Sequence, residues 1–148
     1  MKLYILTLDS NNKVVKLCAE GMELEGQGKK NEALQLFQRA WNIATNDFEK
    51  FTSAHYVARH QESTEKKLQW DETALNLALM INGDNIKVAL PPLYLNVAKC
   101  YEDLGDFPKA STNYENALSH SHLLPDDGYG NMIKGGIRDG LSRIKLKS

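Results

Sequence analysis

The sequence lacks most of the residues that hold small domains together by covalent or metal links. It has only two cysteines, Cys18 and Cys100, far apart and with no CxxC spacing. That excludes a disulfide framework and a structural zinc site of ordinary spacing. Isolated thiols suit a reducing compartment, so the cytoplasm is the expected location. No apolar run approaches the roughly 18 residues that a membrane-spanning helix needs. The stretch 1–9 is apolar only briefly and no small-residue cleavage site follows it, so it does not read as a signal peptide. An excess of either charge is also missing: 18 basic residues face 19 acidic ones, a net −1. Such a surface has no general attraction to nucleic acid or to a membrane, and neither is expected as a partner. After residue 9 no alternating β-branched run occurs, which leaves little to build a sheet.

What is present is a succession of helix-length patterns separated by short breaks. The chain of 148 residues suits one domain. A domain of that size buries about 68–70% of its unfolded-chain surface and needs no disulfide. A first helix is expected over about 10–27, with Asp9 or Ser10 as its cap and Gly28 as its left-handed stop. Further helices are expected over about 31–45, 47–62 and 64–81, the last capped by Ser63 or Thr64. Pro91 and Pro92 open a fifth, since proline is tolerated in a first turn. Gly105 and Asp106 end it and cap a sixth, reaching about His122. A seventh starts at Pro125, Asp126 and Asp127 and runs nearly to Lys147. Residues 1–8 read as an extended arm that needs something to pair with.

The helices repeat. Gly21, Leu24, Gly28, Ala33, Phe37 and Ala40 are matched, 77 positions later, by Ala98, Tyr101, Gly105, Ala110, Tyr114 and Ala117. Between the two sets there is room for one more unit of the same size. Here the chain resembles the tetratricopeptide repeat (TPR) family. That motif has a small residue at its eighth position, Leu or Tyr at the eleventh and Gly at the fifteenth. Small, aromatic and small residues follow at the twentieth, twenty-fourth and twenty-seventh. The stretch 95–118, LNVAKCYEDLGDFPKASTNYENAL, matches all of these. The stretch 17–41 matches with Glu20 and Lys30 in place of an apolar and an aromatic residue. The middle unit is degenerate: Ala58 and Ala74 fit, whereas Trp70 falls where close packing wants alanine. Either that helix pair is splayed or its register differs. The segments 54–61 and 124–130 also resemble those of small stand-alone bacterial TPR-like proteins, a likeness that carries no activity with it.

The resemblance implies an all-α fold: a right-handed α–α superhelix of three helix hairpins plus a C-terminal capping helix, about seven helices in all. The hairpin units are expected at about 10–46, 47–83 and 90–123, with the cap at 126–147, and 10–148 as one domain behind the arm at 1–9. Small residues let the helices of a unit approach, and rings fill the space to the next. Ile133, Ile137, Leu141 and Ile144 form the apolar stripe of the capping helix. Gly136 and Gly140 permit close approach there, each at a helix-propensity cost of about 1 kcal/mol.

In this family the first helix of each unit lines a concave groove. Carried over, the resemblance implies that Cys18, Met22 and Glu25 face a ligand in the first unit. It implies Thr52, His55, Tyr56, Arg59 and Glu62 in the middle unit, and Asn96, Lys99, Glu102 and Asp103 in the last. The groove set adopted is His55, Tyr56, Arg59, Glu62, Asn96, Lys99 and Asp103. The family's carboxylate clamp positions hold Cys18, Met22, Tyr56, Pro92 and Asn96, which disfavours a chaperone-tail ligand. The same polar residues can equally form pairs along or between helices.

Catalytic signals are weak. His55 and Arg59 share a helix face, but no nucleophile, second carboxylate or metal-ligand pair stands at a telling spacing. His120 and His122 lie two apart, so a helix would point them different ways. Gly128 and Gly130 flank Tyr129 before a helix, yet Asp126 and Asp127 beside them oppose an anion. The final helix carries Lys134, Arg138, Arg143, Lys145 and Lys147 against Asp139. A solvated face or contact with an acidic partner both explain that. The expectation is a non-catalytic module that binds a protein or peptide, with no cofactor and no metal. The alternative is a self-associating scaffold, a homodimer, with a small-molecule enzyme a distant third.

Overall fold

The structure, a computed structural model, describes residues 11–147. The arm expected at 1–9 lies outside the described residues, as do Asp9 and Ser10 as caps. Among the described residues the fold is all-helical, with no strand. Seven main helices, α1–α4 and α6–α8, are joined by one extra helical turn, α5. They are α1 Lys13–Gly26, α2 Lys30–Ile43, α3 Asp47–Val57, α4 Thr64–Met80, α5 Asp84–Lys87, α6 Leu90–Asp103, α7 Phe107–Ser119 and α8 Gly128–Lys147. Contacts divide the chain into two compact units, Met1–Asn82 and Gly83–Ser148.

The first unit packs α1 on α2, α2 on α3 and α3 on α4, with α1 also touching α3. Asn12 opens α1: its side-chain oxygen accepts from the Val14 and Val15 amides at 2.8 and 3.1 Å. Its amide nitrogen donates to Glu49 at 2.9 Å. Glu49 is itself half of the capping box that starts α3 with Asn46. One side chain thus closes one helix end and ties it to another. These donors hold the Glu49 carboxyl below its ordinary range, the Thr45 amide first among them. Asn12→Ala should lower unfolding free energy by about 1 kcal/mol, the usual loss of a cap, checked by urea titration.

Helix ends follow the glycines. Gly28 and Gly105 have φ of +79° and +81°. At the first, the Lys29 amide donates to the Leu24 carbonyl and the Gly28 amide to that of Glu25. At the second, Asp106 donates to Tyr101 and Gly105 to Glu102 in the same pattern. Both are six-to-one and five-to-two closures that a left-handed residue permits.

The repeat residues are the core residues. Ala33, Phe37 and Ala40 are buried in the first unit, and Ala98, Ala110, Tyr114 and Ala117 in the second. The Phe37 ring rests on Gly21 of α1, so close that a Cβ there would overlap it. Tyr56 meets the Phe37 ring at 5.1 Å between centroids, and the His60 ring stacks on Phe37 at 6.3 Å. In the second unit α6 packs on α7, and α8 covers both. Gly140 of α8 seats the Tyr114 ring as Gly21 seats Phe37. Ile133 and Ile137 pack with Ala117 and Leu124, and Ile144 with Ala98, Ala110 and Tyr114.

Two expectations about elements change. The third helix was expected to reach 62, but α3 ends at Val57 and passes through a 3-10 turn, Ala58–His60, into extended Gln61. The Gln61 side chain donates to the Val57 carbonyl at 3.0 Å and seals that end. The sixth helix ends at Ser119 rather than near His122, followed by a 3-10 turn at Ser121–Leu123. Trp70 is half-buried and meets Trp41 edge-on at 5.1 Å. The residues of α4 that are buried are Asp71, Ala74, Leu75 and Ala78.

Candidate functional site

The groove residues fall into two sets, one in each unit. In the first unit α3 is buried on every side from Phe51 to Val57. Tyr56 is fully buried and His55 is 7% exposed. Neither offers open surface to a ligand. Arg59 lies over the Tyr56 ring, 5.5 Å from its centroid, and its Nε pairs with Glu25 at 3.2 Å. His60 Nε2 meets the same Glu25 oxygen. Glu25, Arg59 and His60 therefore close on one another across α1 and the turn after α3. Cys18 is fully buried, Met22 half-buried, and Glu62 exposed.

Burial and like charge decide the chemistry of His55. Desolvation, then the nearby Arg59 and Lys67 charges, pull its pKa down to about 3. The ring is neutral at physiological pH and a poor base. Its Nδ1 and the Thr52 hydroxyl, one turn back, are buried without a hydrogen-bond partner among the described residues. Lys67 is held by Asp71, a buried carboxylate one turn on. Burial also pushes the Cys18 thiol up to about 12, which leaves essentially no thiolate.

In the second unit two groove residues, Lys99 and Asp103, are exposed on α6. Their side chains are 52% and 45% exposed and pair at 2.6 Å. Asn96 is half-buried one turn before. Glu102, which the family resemblance also set facing a ligand, points inward. It accepts from the Tyr114 hydroxyl at 2.6 Å and from Arg143 Nε and Nη2 at 2.8 and 3.1 Å. Lys147 adds a second positive charge, its Nζ 3.6 Å from the same carboxylate. The Arg143 hydrogen bonds are the main reason that the Glu102 carboxyl falls to about 2. Burial and that same carboxylate raise the Tyr114 phenol. A buried tyrosine needs an acceptor, and that need was the sequence signal for Glu102: the matching Phe37 has no hydroxyl to place.

His120 Nδ1 sits 2.8 Å from the Asn116 carbonyl, to which it can donate, and its ring stacks on Tyr94. His122 is exposed on the turn that follows. Gly130 donates its amide to Asp127 at 2.8 Å in the turn that starts α8, and a Cβ there would strike the Pro125 carbonyl. Among the described residues no group of three His, Cys, Asp or Glu could hold a metal ion. No described helix is long and apolar enough to cross a membrane.

No family model, curated protein or solved structure matches this chain, and the tetratricopeptide resemblance rests on the chain's own residues.

Proposed function

We propose that the chain is a non-catalytic TPR-type module that holds a protein or peptide segment in the concave groove of a superhelix. The observation that carries this reading is the row Asn96, Lys99 and Asp103 on α6. The other face of that helix is sunk in the core through Leu93, Val97, Ala98 and Cys100. The row contributes little to folding. An exposed pair such as Lys99–Asp103 is worth about 0.3–0.5 kcal/mol, so a partner can take either charge at small cost. The weak basicity of His55 and the inert Cys18 thiol support binding over catalysis. Two cysteines far apart and with no CxxC spacing support a reducing, cytoplasmic setting.

The alanine variant at all three positions, Asn96→Ala, Lys99→Ala and Asp103→Ala, should keep its unfolding free energy within about 0.5 kcal/mol of the parent. It should release the polypeptide that the parent retains from its native cell. A variant that folds and retains that polypeptide unchanged takes the row out of the site.

A second reading, a self-associating scaffold, is favoured by Leu79 and Met80. They stand 50% and 62% exposed side by side at the end of α4. Sedimentation at several concentrations separates the two, because a homodimer disrupted by Leu79→Glu belongs to the scaffold.

A further inference from the structure

The strongest free charge in the second unit lies on α8, away from the α6 row. Of its five basic side chains, Arg143 and Lys147 are committed to Glu102. Lys134 and Arg138, one turn apart, have no acidic partner among the described residues. Lys145, two turns beyond Arg138, continues their stripe. Lys134 and Arg138 form one wall of an open cleft of about 250 Å³, whose other lining residues are Leu118, Ser121, Asn131 and Ile137. Ile137 is fully buried, whereas Leu118 leaves 47% of its surface in water. The Ser121 hydroxyl donates to the Leu118 carbonyl at 2.7 Å, so only its lone pairs remain for a visitor. Exposed Asn131 supplies an amide with both donor and acceptor.

The geometry points to this cleft as a docking site for an acidic polypeptide segment, an aliphatic side chain seated against exposed Leu118 and a neighbouring carboxylate on Lys134 and Arg138. Charge decides the sign of the partner: two cations at helical spacing repel each other unless an anion lies between them. An arginine beside a lysine matches a carboxylate with charge-assisted hydrogen bonds. The shape decides the kind of partner. Small-molecule sites commonly enclose about 300–1,000 Å³ and cover most of the ligand. This cleft is smaller and open, and it fits one side chain with its flanking backbone.

The test uses the full chain, isotopically labelled, and a short capped peptide of alternating glutamate and leucine. The peptide should shift the amides of Ser121, Asn131, Lys134 and Arg138. Replacing Lys134→Gln and Arg138→Gln together should weaken it about tenfold or more, as expected for loss of charge-assisted bonds. Lys66→Ala, an exposed lysine of α4 in the first unit, should leave it unchanged, and the α6 row is tested by its own variants, so failure here and failure of that row are separate results. The charge reversal Lys134→Glu with Arg138→Glu should transfer binding to a lysine–leucine peptide. The inference is overturned if the glutamine–leucine peptide shifts the same amides equally, or if the double glutamine variant binds as the parent does. It is also overturned if free glutarate, or a single-stranded oligonucleotide of equal charge, binds there as tightly as the peptide.

Discussion

Gly140→Ala is expected to destabilise the protein by about 1–3 kcal/mol, the usual cost of forcing a methyl into a filled core. Alanine is the better helix former by about 1 kcal/mol, so the expected sign runs against propensity. The reason is the Tyr114 ring, which occupies the space a Cβ at 140 would need. The ring cannot swing aside cheaply, because its hydroxyl is fixed by Glu102 at 2.6 Å and lies 3.3 Å from Arg143 Nη2. A Cβ at Gly135, on the same helix, would meet nothing within 4 Å outside that helix's own backbone. Gly135→Ala should therefore stabilise, by up to about 1 kcal/mol. The pair is a matched comparison: one helix, one substitution, opposite signs in urea unfolding. Tyr114→Leu costs stability alone. Combined with Gly140→Ala it should cost less than the sum, since the shorter side chain vacates the contested space.

The second large effect is on acid stability and comes from His55. In the unfolded chain its pKa is about 6.5, and in the fold burial and the Arg59 and Lys67 charges hold it at about 3. Below pH 6.5 the unfolded state takes up a proton that the native state refuses. Native stability is complete above that pH and falls as the pH drops toward 3. By linkage the loss at pH 5 relative to pH 7.5 is about 2 kcal/mol. His55→Leu keeps the volume and removes the titrating ring. Its stability should lack this share of the acid slope. At neutral pH it should equal or exceed the parent, since an unpaired buried nitrogen goes with it. Parallel slopes for parent and variant between pH 7.5 and 5 would contradict the burial assigned to His55. The Glu102 carboxyl acts lower, its share being lost as pH falls from about 4.5 toward 2.

These two predictions rest on residues whose roles the sequence revealed unevenly. Gly28 and Gly105 as stops, and Ala33, Ala110, Phe37 and Tyr114 as core, were legible because they are local or recur at one spacing. Gly140 was legible as a place of close approach, but not its ring, since helices 26 residues apart in sequence carry no local mark of their pairing. The end of α3 was missed for a similar reason. Nothing in 58–62 breaks a helix by propensity. The turn there lies where Glu25, 35 residues before His60, pairs with Arg59 and His60, a partner that the local sequence does not mark. The family pattern set His55, Tyr56 and Glu102 facing a ligand. Their burial depends on which neighbours cover them, and a single-helix face cannot report that. Of the residues that the same pattern set on α6, Lys99 and Asp103 are exposed and Asn96 half-buried, at the helix face left over once the small residues have packed.

The most direct measurement is site-specific photo-crosslinking in the native cell, with the reactive residue placed at Lys99 on α6 or at exposed Glu115 on α7. The binding reading predicts a discrete covalent adduct with another polypeptide from position 99 and none from 115. No adduct from 99, or the same adducts from both positions, would contradict it.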